Sequence, residues 1–558
     1  MSRNKAVMLN RDLIEATTLG DLLLRGASKW PDREVLVFPG ERLTYAGLAE
    51  RARAQARALQ GMGIQPGDHV GILAPNLVEL VVLLFAIALS GAVAVLVNAR
   101  YKTAELAYVI ENADLKLLFT TNRIADYVDF VDLLQEALPG LKGADDALAL
   151  ELESAPLLRS VIMMEENEQP GLVSFSRFGE FAGKTDPDQA SARRARVRLS
   201  EPCIMMYTSG TTAQPKGCRL SHEAIVRNAR GMSLRFRITE DDRQWDPLPM
   251  FHMGAILPLL ATIWAGGSYI TDTHFEAEAA LRMIDAERPT MLFIAFPTIM
   301  SALVTHANFN LEMMTDVRLV NNVAPPGQLL ENMKIIPDAV HVSAYGLTEA
   351  SGVTCNGGVD EDNDALANTS GRPYEGLRIR IVDMETGEEV PQGKQGEITI
   401  KGFSLFEGYY KSPGKTAEAL DENGWLHTGD LGAADEEGRI SFRGRIKDML
   451  KVGGENVAAV EIESFLCGHP AVELVQVVGV PDPKLQEVAA AFIQLQTGAT
   501  CTEQEIIDFC RGKIANFKIP RHVRFVEEWP MSATKIQKYK LREMMIAELA
   551  PEEEISRT

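Results

Sequence analysis

The chain has 558 residues, 46% of them hydrophobic and 24% charged, with a formal net charge of -21. That length exceeds one core and implies about three or four domain-sized units of ordinary globular composition. The acidic balance argues against a nucleic-acid partner, whose footprint is a basic face. The single basic run, Arg193-Arg194-Ala195-Arg196-Val197-Arg198, reads as a solvated linker or strand edge. Six cysteines at 203, 218, 355, 467, 501 and 510 form no CxxC pair and no metal-ligand spacing, a pattern that suits reduced thiols and a cytoplasmic location. No apolar h-region follows Met1-Ser2-Arg3-Asn4-Lys5, so no secretory leader is expected.

In chain order, helical and strand patterns alternate over the first 200 residues: a helix at 19–30, a strand at 35–38, a helix at 45–62 ended by Gly63, and a strand at 69–73. A further helix begins at Asn76 and stops at Ser90-Gly91. Residues 80–97 approach transmembrane length, but Ser90-Gly91 interrupts them and the second half is β-branched, which predicts a buried helix, a turn and a buried strand. Such alternation implies doubly wound, mostly parallel sheets. Residues 150–200 lose periodicity, as a peripheral excursion would. The pattern resumes after 220, with helices at 255–264 and from Pro297, and strands at 290–295 and 317–323. Between about 370 and 445 helices vanish and short strands alternate with Gly and Asp turns, as in a small barrel or meander. A boundary falls near Gly444-Arg445-Ile446-Lys447-Asp448. Beyond it comes a compact α+β unit with strands at 475–480 and 488–495, and a helix from the capping box Thr502-Glu503-Gln504-Glu505 to Asn516.

The most informative stretch is Tyr207-Thr208-Ser209-Gly210-Thr211-Thr212-Ala213-Gln214-Pro215-Lys216-Gly217. Backbone N–H groups of a Gly-rich turn form a nest for anions, and hydroxyls with an ammonium add donors suited to phosphate oxygens. The apolar run Pro202 to Tyr207 reads as a buried strand before the loop, and Ser221 as the N-cap of a helix after it. This is not the P-loop of NTPases, because Lys216 precedes its glycine and no hydroxyl follows. The stretch closely resembles the phosphate-binding motif of the adenylate-forming superfamily: acyl-CoA synthetases, peptide-synthetase adenylation domains and luciferases.

Four further stretches resemble that superfamily's motifs in its own order. In Ala344-Tyr345-Gly346-Leu347-Thr348-Glu349, a ring beside a bare backbone suits stacking on a purine, and Glu349 offers a hard oxygen to the Mg²⁺ that ATP carries. In Trp425-Leu426-His427-Thr428-Gly429-Asp430, a carboxylate on a Gly turn suits ribose hydroxyls, although Gly-Asp is also a common turn dipeptide. By resemblance, Arg445 completes the ribose contacts, Lys447 is the hinge, and Gly453 and Gly454 line the passage of the pantetheine arm of coenzyme A; a plain hairpin turn is the competing account. The last stretch, Pro530-Met531-Ser532-Ala533-Thr534-Lys535-Ile536-Gln537-Lys538, matches a motif whose lysine crosses to ATP and carboxylate during adenylation. The family places Gly directly before that lysine, whereas this chain has Thr534-Lys535, so Lys535 is the first candidate and Lys538 the reserve.

The resemblance implies an α/β fold. A large N-terminal domain, residues 1–446, would carry doubly wound sheets and a small β-barrel, and a small mobile α+β domain would span 447–558. It implies catalytic roles for Lys535, Glu349, Thr208 and Lys216, and nucleotide or coenzyme contacts at Thr208, Ser209, Gly210, Thr211, Thr212, Lys216, Ala324, Tyr345, Gly346, Thr348, Asp430, Arg445, Gly453 and Gly454. The acyl pocket would be lined by His252, Met253, Phe296, Pro297, Val323 and Ala344, with Glu349 as metal ligand. The implied activity is that of an ATP-dependent acyl-CoA synthetase using Mg²⁺ and coenzyme A. A hydrophobic acid becomes acyl-AMP with release of pyrophosphate, then a thioester. Alternatives are an acyl-AMP ligase loading a carrier protein, a luciferase-like monooxygenase, or a catalytically impaired nucleotide-binding homologue. The expected partners are small molecules, with no nucleic acid and no transmembrane segment; a homodimer is compatible with the sequence.

Overall fold

The computed structural model describes residues 18–208, 214–324, 326–453, 455–532 and 535–549, with backbone alone for Asn456, Ser532 and Lys535. Residues 80–97 fold as their composition predicts. The helix Val78–Ser90 is buried along almost its whole length, Gly91 ends it in the left-handed region at φ 78°, and every position of the strand Val93–Val97 is buried. Among the described residues no helix is long and apolar enough to cross a membrane.

Two large sheets dominate the large domain, beside a three-stranded sheet of Ala344–Leu347, Gly352–Asn356 and Arg372–Pro373. In the six-stranded sheet the order is Ser160–Met163, Leu115–Thr120, His69–Leu73, Val93–Val97, Pro202–Thr208, Lys216–Ser221, parallel except for the last pair. In the seven-stranded sheet it is Val340–Val342, Leu319–Asn322, Met291–Ala295, Arg243–Trp245, Ser268–Ile270, Glu34–Phe38, Glu41–Thr44, again parallel except for the final hairpin. Helices cover both, so central strands such as Val93–Val97 and Met291–Ala295 read as continuous apolar runs. An antiparallel meander of Leu377–Val382, Gly396–Gly402, Leu426–Ala434 and Ile440–Arg445 follows.

After Arg445 a three-residue 3₁₀ turn, Ile446–Asp448, leads into Met449–Val452, which belongs to a separate five-stranded sheet. That sheet has its own cores, Val475, Val477, Ala489 and Ile493 with Ile462 and Ile506 on one face, Val478, Val480 and Phe492 with Leu541 and Met545 on the other. The alternation is the period of two expected of strands covered on both sides.

Local differences from the sequence reading have physical causes. Residues 150–200 supply an edge strand, Ser160–Met163, whose four positions are all buried and so show no alternation. They also hold the helices Phe175–Glu180 and Pro187–Arg194. The basic run is structural in part: Arg193 donates to the Ile64 carbonyl at 2.6 Å and Arg194 pairs with Asp21. The meander carries one short helix, Pro413–Ala419, started by a proline in its first turn. The capping box at Thr502 forms, but its helix stops at Cys510, before Gly512 at φ 70°.

His222 opens the helix His222–Arg235, and its Nδ1 accepts the Leu19 N–H at 3.1 Å, which requires a neutral ring. Burial pushes its pKa from 6.5 down to about 4. The folded state therefore refuses a proton that the unfolded chain accepts, so stability is full above pH 6.5 and is lost as pH falls toward 4. That gap is worth about 3 kcal/mol. Urea unfolding of the large domain between pH 7 and 4 should show this slope, and His222→Asn, which keeps an acceptor for Leu19, should flatten it.

Candidate active site

The strand Pro202–Thr208 returns antiparallel as Lys216–Ser221, with Thr208 opposite Lys216. The hydroxyl-rich stretch thus connects a hairpin and does not lead straight into a helix, which starts only after the second strand, with Ser221 accepting the Ala224 N–H at 3.3 Å. Ser209, Gly210, Thr211 and Thr212 lie outside the described residues. Lys216 places its ammonium 4.6 Å from the Tyr409 ring centre, and the Tyr409 hydroxyl donates to Glu349 Oε1 at 2.8 Å. Beneath them the buried Cys218 thiol meets the Thr208 hydroxyl and the Glu349 carboxylate; burial and then Glu349 push its ionisation far up, so it is an inert wall.

Glu349 stands in the 3₁₀ turn Thr348–Ala350, directly after the strand Ala344–Leu347 that carries Tyr345 and Gly346. The strand bulges between those two residues, and a Cβ on Gly346 would lie 2.0 Å from the Gly352 carbonyl oxygen. Only glycine permits that approach. The Tyr345 hydroxyl donates to Asp430 Oδ2 at 2.9 Å, and burial, with Asp430 next, raises its ionisation well above the usual phenol range. Asp430 faces Arg445 across neighbouring strands, with Nε 3.3 Å from Oδ1. Its turn is set by Glu397, which accepts the Gly429 N–H at 3.0 Å and holds His427 Nδ1 at 2.8 Å. Phe442 stacks beside Tyr345, centroids 6.0 Å apart at 25°. Sequence reasoning found the pair Asp430–Arg445 but missed Glu397 and Phe442, whose strands show no regular alternation that would single them out.

Of the candidate acyl-pocket residues, Phe296, Pro297 and Val323 follow the C-terminal ends of the neighbouring parallel strands Met291–Ala295 and Leu319–Asn322, where open α/β sheets place their ligands. Val323 donates its N–H to the Ala295 carbonyl at 2.8 Å and is 43% exposed. Ala295 takes φ 57° beside a register shift, a left-handed position costing a non-glycine residue roughly 1–2 kcal/mol. Phe296 and Pro297 follow, at the start of the helix Pro297–Val304. On the facing side His252 precedes the helix Met253–Ala265, and Met253 backs onto Gly352, where a Cβ would lie 3.1 Å from its own. The loop before it is pinned by Asn76, missed as anything but a helix start. Its buried amide donates to the Leu248 carbonyl at 2.9 Å and accepts the Met250 N–H at 2.7 Å.

Two family models match this chain, "AMP-binding enzyme" over residues 23–410 and "AMP-binding enzyme C-terminal domain" over residues 461–535. The chain belongs to the AMP-binding enzyme family. It is 37% identical over 545 residues to YngI of Bacillus subtilis (strain 168), which carries an acyl-CoA synthetase name, covering 95% of this chain and 97% of that one. It is 34% identical to the mitochondrial medium-chain acyl-CoA ligase ACSF2 of Rattus norvegicus, over 95% and 87% of the two chains. Among solved structures, the anthranilate CoA ligase AuaEII in complex with anthranoyl-AMP superposes with a TM-score of 0.84 at 26% identity, covering 97% of this chain and 99% of that one. ATP-bound MatB from Rhodopseudomonas palustris gives 0.81 at 28%, covering 95% and 100%.

In this AMP-binding enzyme the small domain presents Gly453 at the tip of a hairpin, Met449–Val452 with Glu455–Ala458, at φ 61° and bonded through its N–H to the Leu485 carbonyl at 2.8 Å. Gly454 is outside the described residues. Lys447 lies in the turn between the two bodies' sheets. Lys535 lies on a two-residue strand opposite Ser532. Lys538 is engaged elsewhere: its ammonium is 2.6 Å from Glu463, which is 8% exposed and also accepts the Val477 N–H. That pair ties Lys538 to the small domain's own fold.

Proposed function

We propose that this AMP-binding enzyme is an AMP-forming acid–thiol ligase that turns a hydrophobic carboxylic acid into its coenzyme A thioester. The observation that carries the reading is the joining of two clusters through one short stretch. Tyr345 reaches Asp430, which meets Arg445, and four residues on Glu349 accepts from Tyr409, whose ring meets Lys216. One strand and its following turn thus connect groups suited to a ribose with groups suited to phosphates.

Adenylation forms a bond between a carboxylate oxygen and the α-phosphorus of ATP and breaks the bond to pyrophosphate. No protein nucleophile is needed, only alignment of two anions and neutralisation of charge on phosphorus. Lys216, the Thr208 hydroxyl and the backbone of its hairpin would hold phosphates, Asp430 and Arg445 the ribose, and Lys535 the reacting oxygens. A Mg²⁺ arriving with ATP fits Glu349. One carboxylate with an oxygen not engaged by Tyr409 is the usual protein share of a nucleotide-borne Mg²⁺, and the described residues contain no cage of three ligating side chains. The ion would neutralise phosphate charge. Rotation of the small domain about Lys447 would then replace Lys535 by the Gly453-Gly454 hairpin, opening a passage for the thiol of coenzyme A, which displaces AMP.

None of His252, Met253, Phe296, Pro297, Val323 and Ala344 is a carboxylate, so a zwitterionic amino acid would bury its ammonium without a counter-charge. In a pyrophosphate-release assay over a panel of acids, hydrophobic monocarboxylates should therefore exceed free amino acids by at least about tenfold. A free amino acid as the best substrate would overturn the pocket. Comparing coenzyme A with a pantetheinylated carrier protein as acceptor decides between the synthetase and the carrier-loading reading. Cytoplasmic residence and a homodimer belong to the same proposal, and the mitochondrial names of the ACSF2 relatives make fractionation the test of the first.

A further inference from the structure

Residues 406–410 form a strand-like segment laid along Lys216–Ser221. Phe406 donates its N–H to the carbonyl of Glu349 itself at 2.9 Å, Glu407 to the Arg219 carbonyl at 2.8 Å, and Tyr410 to the Gly217 carbonyl at 2.8 Å, while Tyr409 pairs with Cys218. One segment therefore stitches together the turn that carries Glu349 and the strand that carries Lys216, more than a hundred residues apart in sequence. At its centre Tyr409 is held on several sides. Its N–H donates to Thr416 Oγ1 at 2.9 Å, its carbonyl accepts the Ser412 N–H at 3.1 Å, and the Phe406 ring meets it edge-on at 4.8 Å. Only 9% of Tyr409 is exposed.

From that fixed position the side chain touches two opposite charges in two different ways. Its hydroxyl donates to Glu349 Oε1 and its ring lies under the Lys216 ammonium. A lysine and a carboxylate set this close would otherwise tend to pair directly, and a nucleotide would then have to break the pair. A cation–π contact of about 0.5–1 kcal/mol at a partly open site is weak enough to yield to a phosphate. The phenol likewise fixes one oxygen of the carboxylate, Oε1, so that the group meets a cation in a set orientation.

We propose that Tyr409 is a positioning residue that holds Lys216 and Glu349 apart and aimed, the ring setting the phosphate-binding ammonium and the hydroxyl orienting the metal-binding carboxylate. The proposal rests on the reading of those two residues given above. It predicts separable effects. Tyr409→Phe keeps the ring and removes the hydroxyl, so it should alter only what depends on Glu349; Tyr409→Leu removes both.

The test is calorimetric titration of ATP into the full chain, once with Mg²⁺ and once with EDTA, with no acid present. Tyr409→Phe should bind ATP within twofold of the parent in EDTA and lose about tenfold of the affinity gained on adding Mg²⁺, the scale of one charge-assisted hydrogen bond. Tyr409→Leu should lose about three- to fivefold in EDTA as well, the scale of one cation–π contact. Equal losses for Tyr409→Phe in both titrations, or none in either, would overturn the proposal. Glu349→Gln runs alongside. If it loses the Mg²⁺ gain while Tyr409→Phe keeps it, Tyr409 alone is wrong. If it keeps the gain, the metal reading of Glu349 falls and the proposal with it.

Discussion

Replacing Lys535 with alanine should slow acyl-AMP formation by roughly a hundredfold or more, the scale of one lost electrostatic donor at a reacting oxygen. Thioester formation from supplied acyl-AMP and coenzyme A should be almost unchanged, because a thiol attacking a preformed anhydride has no second anion to be brought in. Lys535 begins a two-residue strand and pairs with Ser532. Lys538→Ala should behave differently. Its loss strips Glu463, nearly buried, of its cation, which destabilises the small domain and depresses both half-reactions together. Pyrophosphate release, single-turnover thioester formation and melting of the two variants separate these outcomes. Normal adenylation by Lys535→Ala would mean that the small domain delivers no lysine from this hairpin.

Asp430→Ala should weaken the apparent affinity for ATP ten- to a hundredfold, about 1.5–3 kcal/mol for a charge-assisted hydrogen bond. The variant also strands a buried Tyr345 hydroxyl and leaves Arg445 without its carboxylate, so part of the loss would be structural. Asp430→Asn isolates the functional part. Its amide oxygen still accepts from Tyr345 while its charge is gone, so it should melt close to the parent and still lose most of the ATP affinity. ATP titration with a parallel melting curve reads both. An Asp430→Asn enzyme with unchanged ATP affinity would take Asp430 out of the nucleotide site.

Much of the framework was legible because its signals are local. Glycines at 91 and 266 end helices in the left-handed region, Ser221 and Thr502 cap helices through their own hydroxyls, and residues 202–207 are a strand because nothing polar interrupts them. The helix from Thr502 was overestimated because apolar residues at 506, 510 and 514 keep a helical spacing that Gly512 overrides. In the site, residues that present themselves on Gly turns could be named from sequence. Those that work sideways could not. Tyr409 looks like part of a Gly-Tyr-Tyr turn, and Asn76 like the first residue of a helix. Their partners, Glu349 and Lys216 for one, Leu248 and Met250 for the other, are brought to them by sheet topology, which leaves no mark on the residues nearby.

The three-residue turn Ile446–Asp448 separates cores that share no side chains, those of the large domain and the two faces of the small sheet. Such a chain has no single free energy of unfolding, because each body can melt while the other stays folded. What couples them thermodynamically is whatever touches both. One example is the Ser301 hydroxyl against Glu473 at 3.2 Å, a thin connection. A nucleotide gripped by the large domain and reached by a lysine of the small one would be a far stronger coupling, since any ligand bound only by the joined form stabilises the joining by mass action. Substrate would then act as the missing part of the interface: cooperativity between the two bodies would be a property of the loaded enzyme and not of the polypeptide.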